Sequence, residues 1–242
     1  MRPANAPGSL TPAAALVILA PVTVAADDRG ARLDAYLRAL LERRTADARA
    51  TVAAALTGGM AVQDVYLEVL APALHQVGHR WAVGEMNVAE EHYATEVTRQ
   101  LLDELAPRIR VPPSGGRLAI VSGTPGELHV LGARMVADFL EADGWEVLQL
   151  GASTPAADLA QLAADESPDL VALSTATARS LPAIEDVLRQ LSALRPRPLL
   201  AVGGQFWTAE SSRTARELGA DLVAADPRML VAALRERVPP RE

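Results

Sequence analysis

Leu118-Ala119-Ile120-Val121-Ser122-Gly123-Thr124-Pro125-Gly126-Glu127-Leu128-His129-Val130-Leu131-Gly132 decides how this chain is read. A short apolar run passes into a Gly/Pro loop, and the loop opens into a segment with helical spacing. The change of period recurs downstream. Runs at Glu146–Leu150, Leu170–Ser174, Leu199–Val202 and Asp221–Val223 alternate with helical segments at Val130–Asp143, Ala156–Ala164, Leu181–Leu194, Thr208–Leu218 and Pro227–Arg237. Strands that alternate with helices predict a parallel sheet covered on both faces. Ligands of such sheets sit outside the carboxyl ends of the strands. The segments at that edge are Thr124–Gly132, Ser174–Ser180 and Gly203–Gln205.

Upstream, Arg110–Arg117 carries two prolines, a serine and two glycines and reads as a linker. Before it the apolar spacing is helical throughout, which predicts a small bundle with helices near Ala31–Arg44, Ala46–Thr57, Val62–Trp81 and Val88–Leu105. In the third, Tyr66, Leu70, Leu74, Val77 and Trp81 recur at steps of three and four and predict one buried stripe. Gly84 ends that helix, and Asn87 with Glu90 forms a capping-box pattern that starts the fourth. Trp81, Glu91 and His92 are thereby expected around one interhelical turn. The organisation is an extension (1–30), a helical bundle (31–109) and an α/β domain (117–242).

Half of the 242 residues are apolar, and a net charge of −7 disfavours direct contact with nucleic acid. With no cysteine there is no disulfide, thiolate metal site or thioether-linked chromophore. The run Ala13–Ala26 resembles a signal-peptide core, but only Arg2 is basic and Pro21 interrupts it, so a tail or packing segment of a cytoplasmic protein is expected. It is also too short and broken to span a membrane.

A loop histidine is by itself more often a surface or capping residue. His129 differs in its neighbours. Glu127 can take the proton of one ring nitrogen and leave the other for a metal, while Gly132 leaves room for the close approach of a flat macrocycle. Glu127-x-His129-x-x-Gly132 resembles the Asp-x-His-x-x-Gly motif of cobalamin-binding domains. There the histidine replaces the cofactor's own benzimidazole and binds cobalt from below. The resemblance continues with Ser174 after the third strand and Gly203-Gly204 after the fourth, which in that family line the slot for the displaced nucleotide tail. It implies contacts from Glu127, Leu128, His129, Val130 and Gly132 below the corrin, and from Ser174, Thr175, Gly203, Gly204 and Gln205 around the tail. Two departures concern the acid, Glu127 rather than Asp, and Ala176, where the family usually has leucine.

Trp81, nine intervening residues and then Glu91-His92 is similar to the signature of the light-responsive cobalamin repressors of carotenoid synthesis, the CarH group, and of their relatives without a DNA-binding domain. That likeness places Trp81, Glu91 and His92 over the upper face, around an adenosyl group. It implies a four-helix cap on a flavodoxin-like five-stranded domain. Adenosylcobalamin would be held by His129 between them, light being read out as a change of homo-oligomeric assembly or of contact with a downstream regulator or enzyme. The repressors' histidine directly after the tryptophan is here Ala82, so cobalt capture by that route is closed; His92, His75 and His79 are the substitutes. In outline the chain also resembles photocobilins, which implies biliverdin held without a covalent bond. Two other readings stay open: a corrinoid methyl carrier of a methyltransferase system, against which Val130-Leu131-Gly132-Ala133-Arg134 stands where carriers commonly have Ile-Gly-Lys-Asn after an Asp, and an antirepressor-like interaction module.

Overall fold

The computed structural model describes residues 16–18, 26–208 and 211–241, with side chains from residue 30 onward. The five expected strands all form: β2 (Leu118–Gly123), β3 (Glu146–Gly151), β4 (Leu170–Ser174), β5 (Leu199–Gly203) and β6 (Leu222–Ala224). A sixth, β1 (Leu16–Ile18), adds to the edge beside β6, so part of the N-terminal extension belongs to the sheet; most of the run 13–26 lies outside the described residues. The order is β1-β6-β5-β4-β2-β3, all pairs parallel. Without β1 this is the flavodoxin-like order, whose topological switch point lies between β2 and β4.

Because successive residues of a strand face opposite ways, the sheet feeds two cores. Ala119, Val121, Leu170, Ala172, Ala201 and Leu222 face α6 (Leu131–Ala142), α10 (Pro227–Arg237) and, through them, the N-terminal half. Ile120, Val171, Leu173, Leu200, Val202 and Val223 face α7 (Ala156–Glu166), α8 (Leu181–Ser192) and α9 (Ser212–Glu217). α9 is shorter than the expected Thr208–Leu218, and residues 209–210 lie outside the description.

The helical half consists of α1 (Ala26–Leu41), α2 (Thr45–Thr57), a rod over residues 62–82 and α5 (Val88–Leu105). The rod is α3 (Val62–Val65), a π-helical turn (Tyr66–Leu70) and α4 (Ala71–Ala82). The π turn contains one residue more per turn and resets the phase of the face that meets the core. This corrects the expected stripe: Tyr66, Leu70 and Val77 are buried, but the next core position is Ala73 rather than Leu74, and Trp81 is 47% exposed. Trp81 stands beyond the end of the packed face, and everything from it to Glu85 is exposed before Met86 turns back inward. The capping box at α5 forms as expected: the Asn87 side chain accepts from the Ala89 and Glu90 amides, and Glu90 accepts from the Asn87 amide.

The connection 109–117 is irregular but anchored. Arg117 is buried, stacks 4.8 Å from the Trp145 ring centre and pairs with Asp143, while Arg110 pairs with Asp138 and Glu141 on α6. No helix among the described residues is long and apolar enough to cross a membrane.

Candidate functional site

The site is built at the switch point. The loop after β2 runs from Thr124 to Val130, and its first residue is fastened to the neighbouring strand: the Thr124 amide donates to the Ser174 carbonyl at 3.0 Å, and the Thr124 and Thr175 hydroxyls are 2.8 Å apart. Glu127 is then pulled inward and is only 2% exposed. One carboxylate oxygen accepts from the His129 amide at 3.0 Å and meets His129 Nδ1; the other accepts from the Ala176 amide at 2.9 Å and the Thr177 amide at 3.3 Å. A single carboxylate thus ties the β2 loop to the β4 loop across the crevice.

Burial alone would push the Glu127 carboxyl up, but the hydrogen bonds from His129 and Ala176 outweigh it and hold it below the usual carboxylate range. Glu127 is therefore an anion at neutral pH, and it fixes the Nδ1–H tautomer of His129. In that tautomer the lone pair belongs to Nε2, and the side chain is 56% exposed. A buried, charged acceptor behind a half-exposed imidazole is the arrangement that orients a metal-binding histidine. Leu128, 76% exposed, stands beside it.

Beneath this loop two glycines keep space that any side chain would fill. A Cβ on Gly132 would come 3.1 Å from Ser174 Oγ, so α6 and the end of β4 meet at this residue. Gly204 has φ +106, and a Cβ there would lie 2.3 Å from the Thr175 carbonyl oxygen. The structure therefore brings Glu127, His129, Gly132, Ser174, Thr175, Gly203 and Gly204 to one edge, with Gln205 exposed beside them. Sequence reasoning missed Ser153, whose hydroxyl accepts from the Gly126 amide at 3.0 Å, and the backbone amides of Ala176 and Thr177. Only the position of these residues after β3 and β4 could have signalled them.

On the helical side, Trp81 and Glu91 lie on either side of the turn between α4 and α5, as the spacing predicted. The Glu91 side chain is 21% exposed and accepts from the Thr95 hydroxyl at 2.8 Å; His92 is 74% exposed, its Nε2 3.7 Å from Glu91. Val83 and Val88 are also exposed, so the hairpin tip carries apolar surface that the bundle does not use. His75 and His79 line a separate shallow cavity of about 300 Å³ with Gln76, Arg80 and Glu85.

Comparison with known proteins defines the class. B12 binding domain models match residues 117–234 and 32–106. The chain belongs to the B12-binding domain family, which supports cobalamin as its cofactor. Among individual proteins it is 38% identical over 139 residues to the HTH-type transcriptional repressor CarH of Myxococcus xanthus, covering 57% of this chain and 46% of the repressor. It is 36% identical over 136 residues to the repressor CarA of the same organism, covering 56% and 45%. The chain thus spans about half the length of these curated relatives. The dimethylamine corrinoid protein of Methanosarcina barkeri is 25% identical over 187 residues, covering 74% of this chain and 84% of that protein. The structure of the monomethylamine corrinoid protein from the same organism superimposes with a TM-score of 0.72 over 86% of this chain and 99% of that one, at 20% identity, which establishes the shared fold.

Proposed function

We propose that this chain is a cobalamin-dependent light sensor. Adenosylcobalamin would be held between the hairpin tip and the sheet edge, with His129 Nε2 as the lower cobalt ligand in the base-off, His-on mode. When bound, the cofactor supplies a carbon–cobalt bond that light breaks. Glu127 keeps the imidazole in the ligating tautomer; Leu128 and Val130 flank it below the corrin; Gly132, Ser174, Thr175, Gly203, Gly204 and Gln205 leave room and hydrogen-bonding capacity for the nucleotide tail. Trp81 shields the upper ligand from water, and Glu91 with His92 offers polar contact at its edge.

The observation that carries this reading is Trp81. A tryptophan with 47% of its surface exposed, flanked by exposed Val83 and Val88, gives the bundle little packing and is suited to covering a bulky apolar-faced ligand. Since the chain carries a net charge of −7, output runs through assembly or a protein partner rather than through direct contact with DNA. Size-exclusion chromatography and small-angle scattering of the adenosylcobalamin-loaded protein, in the dark and after green light, test the proposal. The expected result is a different assembly or domain packing in the two states, and identical profiles would overturn it.

A second reading, a methyl carrier serving a methyltransferase, is favoured by the fold shared with the monomethylamine corrinoid protein. It requires a cap that swings away and a tip indifferent to the size of the upper ligand. Biliverdin as a second, non-covalent chromophore is an extension of the sensor reading that an absorption spectrum of protein purified with both chromophores decides.

A further inference from the structure

A buried polar network at the base of the cap has no role in the site described above. Asp138, in the middle of α6, has no exposed surface. One of its oxygens accepts from Arg110 at 3.0 Å and Arg134 Nε at 3.1 Å; the other lies 3.1 Å from the Tyr66 hydroxyl. Arg134 also reaches Asp103 near the end of α5 at 3.0 Å, and Arg110 holds Glu141 at 2.6 Å. Tyr66 opens the π turn, is itself fully buried, and packs its ring 6.3 Å from that of Phe139. Burial and the facing Asp138 keep its phenol protonated far above neutral pH, so it remains a donor. A carboxylate taken wholly out of water costs several kcal/mol unless its partners are held in place, so this joint tolerates little rearrangement.

The chain path gives the joint its leverage. Tyr66 and Asp103 lie at the same end of the antiparallel hairpin made by the rod 62–82 and α5, and Trp81 and Glu91 lie at its other end. On the opposite arm, α6 runs from Asp138 back to Leu131, two residues after His129. The indole and the imidazole thus lie at the far ends of two chain paths that both lead away from the Tyr66–Asp138 contact. The fifteen residues from Tyr66 to Trp81 span roughly 22 Å at the helical rise, so a tilt of about 5° at the joint moves the indole by about 2 Å.

We infer that Tyr66 and Asp138 are positioning residues that set the gap between Trp81 and His129 and thereby which upper ligand the cap accepts. This rests on the light-sensor reading. The experiment uses the full chain with Tyr66→Phe and, separately, Asp138→Asn. Since the chain has no cysteine, Ala89→Cys at the hairpin tip and Ala157→Cys at the sheet edge accept spin labels, and their distance distribution is measured without cofactor. Affinities for adenosyl- and methylcobalamin are then measured in the dark, with the visible spectrum reporting on His129. The expected result is a shifted or broadened label distance, an unchanged lower-ligand spectrum and an adenosyl-to-methyl affinity ratio lowered by roughly tenfold, the size of coupling that a packed network transmits between distant sites. Unchanged label distances, or altered distances with an unchanged affinity ratio, would overturn the inference and leave a joint that only adds stability. If the parent protein itself binds both cobalamins equally, the light-sensor reading fails, and the label distances alone decide whether the joint sets the gap. Should Asp138→Asn fail to fold, Tyr66→Phe, which removes one hydroxyl, carries the test.

Discussion

Two Glu–His pairs stand among the described residues, and they are built to different standards. Glu127 is 2% exposed, receives three backbone N–H bonds from two loops, and touches Nδ1 of a His129 side chain that is 56% exposed. Glu91 is 21% exposed, bonds to one hydroxyl on its own helix, and lies 3.7 Å from the nitrogen of a 74% exposed His92. The residue types are the same in both. Only the first pair is preorganised, because its glutamate bridges two strand ends at a switch point and collects three amides, whereas the Ala89 and Glu90 amides at the start of α5 are already taken by Asn87. A buried anion with a fixed partner can hold a histidine for a metal; a solvated pair can at most adjust to a ligand that is already there.

That contrast breaks most visibly at His129. His129→Ala should abolish tight cobalamin binding and the His-ligated absorption spectrum, and a titration followed by absorbance checks it. The next largest effect belongs to the tip. Trp81→Ala should weaken adenosylcobalamin by about 3 kcal/mol, the lower end of what aromatic truncation costs in packed sites, and methylcobalamin much less. Because the indole is already half-exposed, the stability of the cofactor-free protein should move by no more than about 0.5 kcal/mol. An equal loss for both cobalamins would mean that Trp81 covers no adenosyl group.

Glu127→Gln should follow with a loss of roughly 10–100-fold in cobalamin affinity. It also has a pH signature in the cofactor-free protein. The folded carboxyl ionises below its ordinary range, so its contribution to stability is fully present above about pH 5 and is lost as pH falls through the depressed folded value, below an ordinary carboxylate pKa near 4. Urea melts of parent and Glu127→Gln should differ at neutral pH and converge in acid. The smallest effect is expected at the other pair, where His92→Ala should leave dark cobalamin affinity nearly unchanged. A large loss there would erase the distinction between the pairs.

The α/β half was legible because its strand and helix periods differ, and a histidine placed after the first of those strands could only land at the carboxyl edge. The caps were legible for a similar reason: Asn87 and Glu90 satisfy each other locally. What the sequence hid was phase and long-range pairing. The π turn at Tyr66–Leu70 leaves no compositional mark, yet it moves the next core position from Leu74 to Ala73. Likewise Glu127 reaches the amides of Ala176 and Thr177, about fifty residues away, and Asp138 reaches Tyr66 and Arg110. No local spacing rule encodes these partners. The edge strand Leu16–Ile18 was hidden in an apolar run that reads as a tail or packing segment, with no alternation to mark a strand.

The claim on which the account depends is that His129 supplies the cobalt ligand. Electron paramagnetic resonance of the loaded protein, reduced to cobalt(II), reads that bond directly through the splitting caused by the axial nitrogen. With protein grown on 15N-histidine, the account predicts that the nitrogen triplet becomes a doublet, and that this label-sensitive splitting is absent in His129→Ala. A triplet that ignores the label would come from the cofactor's own base and would contradict it.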